Sequence, residues 1–201
     1  MKLPYRINKR FEAIIWAMLG INVAASFWFY ARFPARVPTH WNAAGVADGF
    51  SGPAFAAFFF PAMIIALYLL LVFLPAADPQ KKRYEEFSRP YQAIRFSIVA
   101  YMTMLYFVAS LIGLGYGISI HKVMVLSIGL LFIVLGNFMP KFKKNWFVGI
   151  RTPWTLSNED IWNKTHRVGG KMFTLGGLLV QVLLDHVPIA VQHQASGLSL
   201  R

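Results

Sequence analysis

The chain of 201 residues contains no cysteine. That absence excludes a disulfide framework, a thiolate nucleophile and any zinc site built on sulfur, and it leaves the redox compartment unreadable. Acidic residues are scarce as well: eight Asp and Glu stand against twenty Lys and Arg, and charged residues make up 14% of the chain, where a soluble domain carries roughly a quarter. No glycine-rich phosphate loop, H-E-x-x-H or G-x-S-x-G pattern is present. The usual sequence routes to nucleotide chemistry, zinc proteolysis and ester hydrolysis are therefore missing.

What the chain has in excess is apolar residues, 57% of the total with a mean hydropathy of +0.50. Crossing a bilayer as a helix takes roughly 20 apolar residues. Four runs reach that length, at residues 11–30, 54–74, 93–116 and 121–139, and residues 172–191 form a weaker fifth. Backbone polar groups in hydrocarbon must be satisfied within each segment, and none of the runs shows the dyad alternation of a barrel strand. The expected fold is all-α: a polytopic transmembrane helical bundle of about five spans, with a short amphipathic helix between the fourth and the fifth.

A formal net charge of +12 would point to nucleic acid in a soluble protein. Here the cations collect between the apolar runs: Lys2, Arg6, Lys9 and Arg10 at the start, Lys81, Lys82, Arg83 and Arg89 in the second gap, and Lys141, Lys143, Lys144, Arg151, Lys164, Arg167 and Lys171 in the fourth. That alternation is the positive-inside pattern. It places the N-terminus and residues 76–92 and 140–170 in the cytoplasm, and residues 33–53 outside. A nucleic-acid surface would set its cations on one face among stacking aromatics, so no direct nucleic-acid binding is expected. The lipid bilayer is the expected partner.

Within the spans, Asn22 and Gln181 are the polar residues at depth, where an amide usually faces the bundle interior. Glu12 and Arg95 lie near span ends, and snorkelling to the interface is the simple expectation for both. Without a charge at the membrane centre, an ion-coupled transport path lacks its usual parts. Pro61 falls inside the second run and is a candidate kink. Gly129, Gly136, Gly176 and Gly177 are candidate close-packing positions.

The loop of residues 33–53 holds "FPARVPTHWNAAGVADGF", and its prolines, glycines and Asx residues predict a compact turn. Asn42 and Asp48 are expected to bond nearby backbone, and Trp41 to rest at the headgroups. His40 invites a metal, but zinc needs three or four converging ligands, and Asp48, His121, His186 and His193 stand at no diagnostic spacing. No metal or cofactor is expected.

The segment "RTPWTLSNEDIWNKTHR", residues 151–167, is polar where its flanks are apolar. Pro153 biases Thr152 away from helix. Ser157 is then the expected N-cap of a helix over residues 158–168, with Asp160 completing a capping-box-like pattern and Gly169-Gly170 loosening the chain before the last span. Trp146, Trp154 and Trp162 suit an interfacial helix on the inner leaflet, while the density of short hydroxyls and carboxylates fits a docking or folding role. Ser157, Glu159, Asp160 and His166 supply the residue types of a hydrolase. On one helix, however, Ser157 and His166 are more than about ten ångströms apart, which spoils a triad. An enzyme is not expected.

These two segments carry a resemblance. "NWFVGIRTPWTLSNEDIWNKTHRVGGK" resembles the cytoplasmic signature of the SdpI family of bacterial membrane proteins, through Gly149 to Ser157, Glu159, Trp162, Thr165 to Arg167, Gly169 and Gly170. The outside loop is similar to the P-x-H-[WF]-N-x-x-G-x-x-D-G motif of an N-terminal domain of unknown function often joined to that family, through Pro38, His40, Trp41, Asn42, Gly45, Asp48 and Gly49. The resemblance implies a multi-pass protein of the bacterial cytoplasmic membrane, N-terminus inside, that gives immunity to a secreted peptide toxin, signals by binding a cytoplasmic transcriptional repressor, or does both. It implies a single membrane domain over 1–201, made of an N-terminal two-helix unit (11–77) and an SdpI-like unit (93–191). The implied partner-binding or signature residues are Arg151, Thr152, Pro153, Trp154, Thr155, Ser157, Glu159, Trp162, Thr165, His166 and Arg167. A further apolar span is expected after the fifth in that family, where this chain has the polar stretch from Asp185 to Arg201. The alternative from the residues alone is a small membrane transporter or lipid-binding module lined by Asn22, Gln181 and the helix glycines.

Overall fold

The structure is a computed structural model that describes residues 3–184. Its helices follow the apolar runs: α1 (Lys9–Tyr30), α2 (Pro53–Phe73), α3 (Ser88–Gly113) and α4 (Ile120–Phe138), then a five-residue α5 (Pro153–Ser157) and a long α6 (Glu159–Leu184). Among the described residues, four helices, α1 to α4, are long and apolar enough to cross a membrane. At about 1.5 Å per residue, the 22 residues of α1 match a hydrocarbon core of about 30 Å. Trp16, Ile21, Phe27, Leu70, Leu130, Leu175 and Val182 are all exposed. So much apolar surface is a liability in water and none in lipid. The chain is a polytopic helical membrane protein.

Local signals explain the ends. Asn8 caps α1 by accepting from the Arg10 N–H, Pro53 opens α2 where its missing N–H costs nothing, and Ser119 caps α4. Between α1 and α2 the chain forms a hairpin of β1 (Val37–Trp41) and β2 (Ala47–Ser51), a feature that the turn signals alone did not predict. Tyr5, Tyr84, Phe87, Tyr91, Met139, Phe142 and Trp162 form a core at one end of the bundle, opposite the hairpin. A second core, including Ile15, Leu19, Ile64, Tyr68, Val99 and Tyr106, joins α1, α2 and α3.

Polar groups weld these helices together. Pro61 has no N–H, so the carbonyl of Ala57 four residues earlier has no helical donor; the Tyr106 hydroxyl of α3 supplies one at 3.1 Å. Pro75 frees the Leu71 carbonyl in the same way, and the Tyr91 hydroxyl donates to it. Asn22, fully buried, donates to Thr103 at 2.9 Å. Glu12 and Arg95 do not snorkel to the interface. They pair with each other across α1 and α3, the Tyr68 hydroxyl donates to the same carboxylate at 2.5 Å, and the guanidinium lies among the rings of Tyr5, Tyr68 and Tyr91. A neighbouring counter-ion and three π faces made burial cheaper for Arg95 than a stretch toward water.

The expected helix over residues 158–168 and the expected last span are one continuous helix, α6, followed here as far as Leu184. Its cap is Asn158, whose Oδ1 accepts from the N–H groups of Asp160 and Ile161, while Ser157 closes α5 by donating to the Trp154 carbonyl. Gly169-Gly170 does not loosen the chain: a Cβ on Gly169 would lie 2.5 Å from Ile150, and one on Gly170 2.6 Å from the Gly136 carbonyl oxygen. Gly129 and Gly136 of α4 meet Gly177 and Gly170 of antiparallel α6, a small-residue seam that brings the two backbones together. The continuation of the last expected span beyond Leu184, with Asp185, His186 and the polar stretch to Arg201, lies outside the described residues.

Candidate functional site

At the hairpin end, the loop motif accounts for its own shape. Asn42 Oδ1 accepts from the N–H groups of Ala44 and Val46, both at 3.0 Å, an Asx turn that leaves Gly45 at φ 77°, where a side chain is strained. Gly49 faces His40 across the strands, and a Cβ there would come within 2.8 Å of the His40 Cβ. That gap lets the ring lie beside Asp48, so the carboxylate bonds His40 Nδ1 at 2.6 Å and not the backbone that the sequence predicts for it. Pro38 and Trp41 are half-buried in β1, whereas His40, Val46, Asp48 and Phe50 are exposed. No three His, Asp or Glu side chains converge on a metal-sized site among the described residues.

At the opposite end, residues 141–158 fold around buried Asn145. Its Oδ1 accepts from the N–H groups of Phe147 and Val148 at 2.9 and 2.7 Å, and its Nδ2 donates to the carbonyls of Lys143 and Val148, both at 2.9 Å. Asp78, from the connection between α2 and α3, accepts from the Trp146 N–H at 2.8 Å and from the Tyr84 hydroxyl at 3.0 Å. Burial and the Asp78 charge push the Tyr84 phenol well above its ordinary range, so it stays a donor. Asn145, Asp78 and Tyr84 were not singled out by sequence; an Asn ahead of a glycine-bearing turn was the available signal.

The signature then wraps onto α6. Gly149 takes φ 115°, and a Cβ on it would stand 2.3 Å from His166 Nε2. The bare glycine brings the next N–H, that of Ile150, within 3.0 Å of Nε2. Since that nitrogen accepts, the ring proton sits on Nδ1 and is donated to the Trp162 carbonyl at 2.8 Å. His166 is fully buried, stacked on Trp162 with ring centroids 4.0 Å apart. Its pKa is lowered by burial, partly opposed by the bond to the Trp162 carbonyl. Trp162, also fully buried, donates from Nε1 to the Phe142 carbonyl at 2.8 Å.

Thr152 and Thr155 cap α5 reciprocally. The Thr155 hydroxyl is buried and also bonds the Ile150 carbonyl at 2.9 Å. Glu159 pairs with Arg83 from the α2–α3 connection, which lowers the carboxyl pKa. The signature therefore separates into two sets. Thr155, Trp162 and His166 are interior braces; Arg151, Thr152, Pro153, Trp154, Ser157, Glu159 and Arg167 are exposed, and Thr165 is half-buried. Trp154 is 66% exposed and Trp146 47%, and the Arg151 guanidinium donates to the Trp146 carbonyl at 2.6 Å. Aromatic and cationic surface thus stands together at the end of the bundle, on a scaffold that holds it rigid.

Among the described residues, Asn22 and Gln181 line no common path. Asn22 bonds α3, Gln181 donates to the Leu126 carbonyl of α4, and the glycines between α4 and α6 are closed by each other's backbone.

Helices, hairpin and signature together define an integral membrane protein whose two motif-bearing segments sit at opposite ends of the bundle. Residues 141–200 match the SdpI/YfhL protein family, and residues 17–65 match a domain of unknown function (DUF1648). The chain is 28% identical over 167 residues to the immunity protein SdpI of Bacillus subtilis (strain 168), a similarity covering 81% of this chain and 76% of that protein. No solved structure matches.

Proposed function

We propose that this chain is a non-enzymatic immunity protein of the bacterial cytoplasmic membrane. The hairpin end faces outward and meets or excludes a secreted peptide toxin. The signature end faces the cytoplasm, as the basic segments favour, and its exposed Arg151, Trp154 and Arg167 hold a cytoplasmic repressor. The observation that carries this reading is the similarity to an immunity protein over 81% of the chain, long enough to reach from one motif-bearing segment to the other.

The test is protection. A strain killed by the toxin that SdpI-type proteins neutralise is transformed with this chain, with Asn42→Ala or with Arg151→Ala, each checked for equal membrane expression. Survival with the natural chain and killing with Asn42→Ala support the outward role of the hairpin. Repressor release, read from a promoter reporter, should change with Arg151→Ala while survival persists. Killing in every strain removes the immunity reading.

A further inference from the structure

A groove of about 930 Å³ opens at the signature end of the bundle, between the N-terminal arm and the start of α3. Gln92, 4% exposed, straps the arm down: its Oε1 accepts from the Asn8 N–H at 2.7 Å and its Nε2 donates to the Arg6 carbonyl. The Arg6 N–H in turn donates to Ser88 Oγ at 3.2 Å. The walls are thus fixed by part-buried hydrogen bonds.

Four cations and two carboxylates line the groove: Arg6, Lys9, Lys82 and Arg89 against Glu85 and Glu86. Both carboxylates are engaged, Glu85 with Arg6 at 2.9 Å and Glu86 with Arg83 at 3.5 Å. Lys9, Lys82 and Arg89 are exposed and have no hydrogen-bond or ion-pair partner among the described residues. The groove also receives the N-termini of two parallel long helices, α1 and α3, whose dipoles add to the positive potential. Ile7 gives the lining an apolar side chain, 46% exposed, and beyond the lining, in the first turn of α1, Phe11 is 37% exposed and packs edge to face on Phe96 with centroids 5.7 Å apart. The site stands at the N-terminal ends of α1 and α3, two helices long and apolar enough to cross a membrane.

We propose that this groove binds the headgroup of an anionic phospholipid, its phosphodiester held by Lys9, Lys82 and Arg89 and its acyl chains passing over Ile7 and Phe11. A free phosphate or an acidic peptide would use the cations and leave the apolar side chains idle; a lipid uses both. The site does not depend on the immunity reading.

Native mass spectrometry of the full chain, released from detergent micelles carrying dioleoyl phosphatidylglycerol or dioleoyl phosphatidylcholine, tests it. The natural chain should retain phosphatidylglycerol in preference to phosphatidylcholine. Lys82→Gln, a change at a side chain with no internal contact to lose, should weaken retention about fivefold, and Lys9→Gln with Arg89→Gln should weaken it further by a similar factor for each cation. A control that removes two cations elsewhere, Lys143→Gln with Lys164→Gln, should retain lipid as the natural chain does. Equal retention of both lipids, equal losses in the control, an unchanged Lys82→Gln, or displacement of phosphatidylglycerol by millimolar inorganic phosphate would each overturn the proposal.

Discussion

The Tyr106 hydroxyl of α3 donates at 3.1 Å to the Ala57 carbonyl of α2, the acceptor that Pro61 leaves without a helical donor. The bond repairs the helix and joins it to its neighbour at once. Tyr106→Phe should lower stability by about 1 to 3 kcal/mol, the cost of an unsatisfied buried acceptor. Pro61→Ala restores the N–H that Ala57 lacks, so it should recover most of the loss in the Tyr106→Phe background. Thermal unfolding of the four chains of this cycle in detergent measures the coupling.

The glycine seam sets a second expectation. A Cβ on Gly136 would lie 2.5 Å from the Gly170 carbonyl oxygen, whereas one on Gly20 would meet nothing within 4 Å. Gly136→Ala should separate α4 from α6 and lower the unfolding temperature, and Gly20→Ala should leave it unchanged or raise it slightly. Equal effects of the two substitutions would deny the seam.

His166 gives a pH dependence whose sign is fixed by its lowered pKa. Between its folded and unfolded pKa values the unfolded chain binds more protons, so this residue's contribution is complete above about pH 6.5 and is lost as pH falls toward the folded value. Protonated Nε2 would also face the Ile150 N–H, donor against donor. Unfolding temperatures followed from pH 8 to pH 5 should fall in the natural chain, and His166→Gln, whose side chain has no charge to gain, should flatten the slope.

The ion pair of Glu12 with Arg95 predicts a different pattern. Glu12→Gln leaves a buried cation without its counter-charge, which costs about 3 to 5 kcal/mol. Adding Arg95→Met should recover part of that loss. Unfolding of the single and double variants in detergent distinguishes this pair from two independent snorkelling side chains, for which both changes would be small and additive.

The spans were legible because an apolar run of bilayer length has few other fates, and α1, α2 and α4 begin within two residues of where hydropathy puts them. Asn42 was legible too, since an Asx turn is local chemistry. The pairing of Glu12 with Arg95 joins residues 83 apart in sequence, and nothing in either neighbourhood names the other. Gly169-Gly170 misled for a physical reason: in water paired glycines weaken a helix, whereas in a lipid-embedded bundle they admit a neighbouring backbone. Most of the signature's short polar side chains fit a docking surface when read one by one. In the fold, Thr155 and His166 turn inward with Trp162 and bond the backbone of residues 150–152, while Arg151, Trp154 and Arg167 stay exposed.

A hairpin facing outward and a signature facing the cytoplasm underlie the proposed immunity role. The absence of native cysteine makes the measurement direct: Ala44→Cys and Ser157→Cys, each introducing the sole thiol of its chain, are treated in intact cells with a membrane-impermeant maleimide. The Ala44→Cys chain should label at once, and the Ser157→Cys chain only after permeabilisation. Labelling of both chains in intact cells, or of the Ser157→Cys chain alone, would contradict that orientation.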